Sequence, residues 1–393
     1  MTPLRTRMAA RDITENHRVS SPLELLFDLT FVVAIAQVAS QLAAAIAHGE
    51  LVGTVGPFLM VFFAIWWAWN QFTWLASAYD TDDALYRVLT MVQMAGVLVL
   101  AAGVPLAMHG SYGYVTLGYL VMRVGLLGML VRAMKEDPES RPTTQRYVIG
   151  IAAVQVLWLL RLLLPPALGV PAFVLLAVAE LVVAPWASRA RDLAWHPHHI
   201  AERYGLFTII LLGESVLAST TALQRGITEN GISVELGVIA VAGLVLLFAL
   251  WWLYFAEPAG EGLERHRDRS YIWGYGHYLV FASLAAIGAG LEVTVESAGG
   301  HLAASPTLVC FAVAVPLVLF LGLLWASHAP IVERVVVHPA AIAVAAAGIL
   351  LVPSAAPSIG VATALSAMVV VVVALLVFTI VRGARHAKTG PVG

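Results

Sequence analysis

Apolar runs of about 20 residues, separated by short polar or turn-forming stretches, recur along the chain from its first fifty residues to its last thirty. A helix of that length crosses a hydrocarbon layer of about 30 Å, and a run too long and too apolar for a soluble core has no other stable use. The pattern predicts an all-α polytopic membrane protein with about twelve transmembrane helices. These fall over roughly 24–47, 52–76, 87–108, 112–133, 146–164, 170–188, 203–222, 233–256, 271–291, 305–327, 335–353 and 358–381. The breaks fall on turn or charge signals such as His48-Gly49-Glu50, Asp80-Thr81-Asp82-Asp83, Lys135-Glu136-Asp137-Pro138, Pro165-Pro166 and Glu257-Pro258. Pro353 and Pro357 are expected to bound a very short connection between the last two spans.

The distribution of basic residues orients these spans. Nineteen of the 22 Lys and Arg fall at alternate connections or at the two ends of the chain. They begin with Arg5, Arg7, Arg11 and Arg18, continue through Arg334, and finish at Arg382, Arg385 and Lys388. Basic residues concentrate on the cytoplasmic side of membrane proteins, so both termini are expected there. No short apolar stretch with a cleavage site precedes the first long run, and the first helix is expected to stay in the membrane.

The chain also resembles itself. Phe63-Ala-Ile-Trp-Trp matches Phe248-Ala-Leu-Trp-Trp, and Glu24-Leu-Leu-Phe-Asp-Leu-Thr matches Glu202-Arg-Tyr-Gly-Leu-Phe-Thr. Two parallel six-helix halves are therefore expected, at 24–195 and 196–382, flanked by cytoplasmic segments 1–23 and 383–393.

Composition narrows the function. Sixty per cent of the residues are hydrophobic and 12% charged, half the charge of an ordinary soluble domain. A net charge of −2 without a basic block points to no nucleic-acid partner. Cys310 alone excludes an internal disulfide, a thiolate metal cluster and a CxxC redox pair. No cofactor and no metal is expected, and the partners expected are membrane lipids, a small-molecule or ion substrate and another copy of the chain.

Polar residues inside the spans carry the remaining signal. Counting about 1.5 Å per residue from the nearest cytoplasmic charge puts Arg123 and Glu180 near 13 Å, Glu214 near 16 Å and His277 near 12 Å. Gln37 and Gln155 share that layer, close to mid-membrane. An ionised group there costs roughly 2.5–3.5 kcal/mol on insertion scales. Arg123 and Glu180 match in depth and cancel in charge. Glu214 has only Arg123 or a charged His277 near its depth, and a carried proton is the alternative to a cationic partner.

At the cytoplasmic edge, His198, His199, Glu202 and Arg203 open the seventh span. Three- and four-residue spacings make His198 and His199 neighbours of Glu202, without matching a zinc pattern. Glu24 and Asp28 open the first span, where the helix dipole suffices to favour them. Asp80, Asp82 and Asp83 read as a solvated loop. Trp66, Trp67, Trp69, Trp74, Trp251 and Trp252 read as packing groups and interfacial anchors, or as the walls of a ligand pocket. His266, His328 and His338 receive no role.

Ser21-Pro-Leu-Glu-Leu-Leu-Phe-Asp-Leu-Thr-Phe and His198-His-Ile-Ala-Glu-Arg-Tyr-Gly-Leu-Phe-Thr-Ile-Ile-Leu-Leu-Gly-Glu-Ser, about 175 residues apart, resemble the bacterial low-temperature-requirement A (LtrA) family. The resemblance implies an inner-membrane protein without a settled activity and draws attention to Glu24, Phe27, Asp28, His199, Glu202, Arg203, Gly213 and Glu214. Phe27-Asp28 also resembles the Phe-Ser-Asp start of a potassium-channel family, from which this chain departs by lacking the serine and a second Phe-Asp pair. The residues point first to a secondary transporter, proton-linked through Glu214. A channel, an intramembrane lipid or isoprenoid enzyme acting through His199, Glu202 and Glu214, and a membrane scaffold are the alternatives. The expected substrate or proton pathway comprises Glu24, Asp28, Arg123, Glu180, His199, Glu202, Arg203, Glu214 and His277.

Overall fold

The computed structural model describes residues 3–11, 19–79, 81–257, 259–300, 302–332 and 335–389, with side chains apart from those of 230 and 385–389. Among them are thirteen α-helices and no strand: α1 Pro22–Ala47, α2 Leu51–Ala78, α3 Ala84–Met108, α4 Gly113–Glu136, α5 Arg141–Arg161, α6 Gly169–Ser188, α7 Pro197–Asn230, α8 Val234–Phe255, α9 Ala259–Arg265, α10 Ser270–Ser297, α11 Pro306–His328, α12 Pro339–Ile359 and α13 Val361–Thr389. Twelve of these correspond in order to the twelve predicted spans, and α9 is a short extra turn. Eleven stretches are long and apolar enough to cross a membrane; α5 falls short, with Arg141, Arg146 and Arg161 along its 21 residues. The protein is thus an all-α polytopic membrane protein.

Helix starts follow local chemistry. Ser233 and Ser305 accept hydrogen bonds from Leu236 N and Leu308 N at the starts of α8 and α11, closing donors that a helix leaves open. The connection expected between Pro353 and Pro357 lies elsewhere, because both prolines sit inside α12. The turn comes at Gly360, with φ +82°, a conformation only glycine adopts without strain. Helix α13 then runs on through the expected tail at 383.

The chain forms two compact units. The first comprises Met1–Val38 with Gly56–Arg203, the second Ala39–Val55 with Tyr204–Gly393, so the division falls inside α1, α2 and α7. In the first unit α3 packs on α4, α4 on α5 and α5 on α6. The α3–α4 contact is backbone against backbone: a Cβ added at Gly118 would lie 2.4 Å from Leu100 N and 2.6 Å from Gly96 O. Small residues at helical spacing permit such close approach. In the second unit α10, α11, α12 and α13 pack in succession and α13 also meets α8. The paired motifs of the apparent repeat have unlike surroundings, since Trp66 and Trp67 are buried while Trp251 and Trp252 are about half exposed.

Residues 3–11 form a strap on the first unit. Thr6 N donates to Asp83 Oδ2 at 2.7 Å, Met8 N to Glu136 Oε2 at 2.7 Å, and Ala84 N to Pro3 O at 3.1 Å. Asp83, expected in a solvated loop, is fully buried; it caps α3 through Tyr86 N and takes two bonds from Arg132, at 2.8 and 2.5 Å. Asp82 is exposed and paired with Arg87; Asp80, Arg18, Pro258 and Arg334 lie outside the described residues, as do the side chains of Arg385 and Lys388. The strap gathers three of the basic connections at one end of this unit.

Burial alone would raise the Asp83 carboxyl, but the Arg132 guanidinium and the N–H groups of Thr6 and Tyr86 outweigh it and hold the group at about 2. A carboxylate held below its ordinary value stabilises the fold above that value and stops doing so as it is protonated. The strap is therefore expected to stay docked above about pH 4 and to release as pH falls toward 2. Amide exchange at Thr6 and Met8 reads this directly, and Asp83→Asn should give the fast exchange at neutral pH. Unchanged protection in that variant would refute the assignment.

Candidate functional site

Besides the Asp83–Arg132 pair, two buried charge clusters are found among the described residues of the first unit, and α2 serves both. Trp67 and Trp69 are two residues apart, about 200° around a helix, so their indoles leave opposite faces.

In the first cluster two four-residue ladders face each other. Glu24 and Asp28 descend one face of α1, His199 and Arg203 one face of α7. Arg203 donates Nε to Asp28 Oδ2 at 2.9 Å and Nη2 to Oδ1 at 2.5 Å, the side-on fork that suits guanidinium and carboxylate. Its Nη1 lies 3.1 Å from Glu24 Oε1, and His199 Nε2 lies 3.1 Å from the same oxygen. Glu24 Oε2 accepts Ser21 N at 2.7 Å, and Trp69 Nε1 donates to Asp28 Oδ1 at 2.7 Å. The Arg203 guanidinium also faces Phe72, 5.9 Å from its ring centre, and Phe72 stacks on Phe27 at 3.9 Å. Arg203 and His199 are wholly buried, with Asp28 at 1% and Glu24 at 4% exposure. Among these four side chains, two carboxylates against one guanidinium leave one negative charge, and a proton on His199 would cancel it.

The second cluster forms the ion pair that depth-matching anticipated. Arg123 Nη2 lies 2.9 Å from Glu180 Oε1 and also donates to the Tyr119 hydroxyl. Glu180 further accepts Trp67 Nε1 at 2.9 Å, Trp158 Nε1 at 3.1 Å, Gln71 Nε2 at 3.3 Å and the Tyr119 hydroxyl at 3.4 Å. Five donors saturate its two oxygens. The Arg123 Nε and Nη1 atoms and both ends of the Gln155 amide are buried without a hydrogen-bond partner.

The second unit separates what the depth count had placed in one layer. His277 is wholly buried among Tyr204, Trp273, Tyr254 and Phe281, with His328 at 5.6 Å between ring centres. His277 Nδ1 meets Trp273 O at 2.7 Å, and His328 Nδ1 meets Leu324 O at 3.0 Å while its Nε2 lies 3.4 Å from Trp273 Nε1. Carbonyls only accept and an indole N–H only donates, so Nδ1 carries a proton in both rings, and His328, which takes the indole N–H on Nε2, is neutral. His277 is ringed by aromatic side chains, and Arg123 is engaged by Glu180. Glu214 is part-buried, with Oε2 lacking a hydrogen bond, and its charged neighbour is a carboxylate, Glu292. Arg225 binds Glu292 at 3.3 Å and Glu296 at 3.1 Å.

Glu202 accepts Ser20 N at 3.2 Å, while His198 is exposed. Gln37, counted into the polar layer, is also exposed. The carboxylate-binding roles of Trp67, Trp69, Trp158, Tyr119 and Gln71, and the His277–His328 contact, were absent from the sequence reading. The spacing of Trp67 and Trp69 is the one signal that could have suggested two faces.

Apolar helices that bury ion clusters define a polytopic membrane protein with an internal polar site. The chain belongs to the bacterial low temperature requirement A protein (LtrA) family, whose model matches residues 19–378 and so includes all nine predicted site residues. It is similar to the uncharacterised protein RA0937 of Rhizobium meliloti (strain 1021), with 27% identity over 288 residues, 69% of this chain and 68% of that one. No solved structure matches it.

Proposed function

We propose that this LtrA-family protein is a proton-linked secondary carrier of the bacterial inner membrane, with both termini cytoplasmic. The observation that carries the reading is the buried set Glu24, Asp28, His199 and Arg203, two carboxylates, one guanidinium and a titratable imidazole whose summed charge changes with one proton. Taking charged groups out of water is expensive, and a fold that needed only rigidity would be better served by apolar packing. A set whose charge changes by one with a single proton is the element a coupled carrier requires. Glu24 is its hinge, because one oxygen is shared between imidazole and guanidinium at equal distances. Glu214, eleven residues beyond Arg203 on α7, is the second carboxylate offered for coupling. The positive-inside distribution supports the orientation.

The test is reconstitution into vesicles containing a pH-sensitive dye, under an inward proton gradient. Carboxylates, amino acids, sugars and metal cations are presented in turn. One class is expected to move protons with the wild type. Glu24→Gln, which leaves the neutral Asp28–Arg203 pair in place, should insert normally and lose about a hundredfold or more in rate, the contribution typical of one general proton-transfer group. No substrate-dependent proton movement with wild type, or full activity in Glu24→Gln, would remove the reading.

A further inference from the structure

Within the first unit, a cavity of about 30 Å³ is walled by Phe63, Tyr112, Tyr119, Trp158, Phe173 and Arg161. Arg161 ends α5 beside the exposed turn 162–168. Its guanidinium lies over Tyr112, Phe173 and Trp158, at 4.7, 5.3 and 5.8 Å from the ring centres, and donates to Gly169 O at 3.0 and 3.1 Å. Among the described residues no carboxylate pairs with it.

The opposite wall leads to unmet donors. Tyr119 lines the cavity, and Arg123 is one helical turn beyond it on α4, touching its hydroxyl. Trp158 also lines the cavity, and Gln155 is one turn beyond it on α5. Residues three or four apart share a helix face, so Arg123 and Gln155 continue the two walls inward. Both are buried, at 2% and 4% exposure, and between them they present two guanidinium nitrogens and a whole amide without partners. Unpaired polar groups at this burial are uncommon in folded proteins and call for an occupant.

The occupant's charge follows from the balance. Two guanidinium groups stand against one carboxylate, Glu180, whose oxygens five donors already fill; the acceptor left over is the neutral Gln155 Oε1, so a cation would find no free negative charge and an anion would find charged donors. The walls are aromatic, so the rest of the molecule is apolar and flat. We infer that this aromatic-walled cavity, extended inward to Arg123 and Gln155, is a binding site for a small organic carboxylate with an apolar body. Thirty cubic ångströms hold one or two water molecules, so the Arg161 side chain has to swing off its aromatic bed to admit such a ligand. The inference names a substrate class for the proposed carrier and rests on that reading for its purpose alone.

Binding is measured at equilibrium on the purified full-length protein in detergent. Benzoate is titrated against tryptophan fluorescence and thermal stability, with benzamide as the uncharged isostere and chloride as the inorganic anion. Benzoate is expected to quench saturably and to raise the melting temperature, and benzamide and chloride to do neither. Gln155→Leu removes an unpaired amide and should fold at least as well as wild type while binding benzoate about tenfold or more weakly, the scale of a lost hydrogen bond to a charged group. Arg161→Gln should weaken binding similarly. An equal response to chloride, no response to benzoate, or wild-type affinity in Gln155→Leu would overturn the assignment. Benzoate binding without proton-linked transport would keep the site and remove the carrier reading.

Discussion

Arg203→Leu is expected to destabilise the protein by about 3–5 kcal/mol, the range for removing one partner from a buried ion pair. It would leave Glu24 and Asp28, both nearly inaccessible to solvent, without the guanidinium that both face. The three other substitutions rank by the charge each leaves behind. Asp28→Asn should cost less than Arg203→Leu, since Glu24 still faces Arg203 at 3.1 Å, although the fork is lost. Glu24→Gln should cost least, because the bidentate Asp28–Arg203 pair is self-neutralising. Arg203→Lys should behave nearer to leucine than to arginine, as an ammonium cannot reproduce the paired Nε and Nη2 bonds. The fraction of protein surviving a heating series, read by size-exclusion of detergent extracts, gives the order. Combining Arg203→Leu with Glu24→Gln and Asp28→Asn should recover most of the lost stability. A melting temperature for Arg203→Leu within about 2 °C of wild type would show that the cluster is not the charge-balanced unit described, since 1 kcal/mol alone moves even a large domain by about that much.

The limits of the sequence reading have a common physical origin. Counting residues from a charged boundary gives the depth of a side chain, because the rise per residue of a helix is constant. It says nothing about rotation, which packing decides. Arg123 and Glu180 were legible because equal depth and opposite charge left each as the other's plainest partner. His277 and Glu214 also matched in depth, yet His277 packs among aromatic rings and Glu214 faces another carboxylate. Asp28 and Arg203 were hidden for a different reason. Each stands near a helix start where a local explanation was complete, so nothing demanded a partner 175 residues away. Asp83 was hidden likewise, in a run of aspartates that composition alone makes a loop.

The tryptophans show what composition conceals. An indole is mostly apolar surface, and hydropathy registers it as packing or as an interfacial anchor. Its single N–H decides the role here, with Trp67 and Trp158 directed to Glu180 and Trp69 to Asp28. Donors of this kind let a membrane interior hold carboxylates without water. They also link the two clusters mechanically, since α2 carries Trp67 and Trp69 on opposite faces. A rotation of α2 would strain hydrogen bonds in both clusters together.

Glu180→Ala is expected to have the other large effect, about 3–5 kcal/mol, because it strands Arg123 and removes the acceptor from four neutral donors at once. The diagnostic result lies in the second step. Arg123→Leu alone should be similarly harmful, as it leaves a buried carboxylate without its cation. If the pair behaves as buried ion pairs generally do, Arg123→Leu with Glu180→Leu should come within about 1–2 kcal/mol of wild type, well short of the sum of the single losses. The two tryptophans, Gln71 and the tyrosine would still lack an acceptor in that double variant, which sets the residue of the loss. Glu180→Gln separates charge from hydrogen bonding: it keeps an oxygen for the indoles but no longer neutralises Arg123, and should fall between Glu180→Ala and wild type. Heat survival of the four variants in one detergent closes the cycle. Additive single losses, with no recovery in the double variant, would mean that Arg123 is neutralised by something other than Glu180 and that the charge balance assigned to the adjoining cavity is wrong.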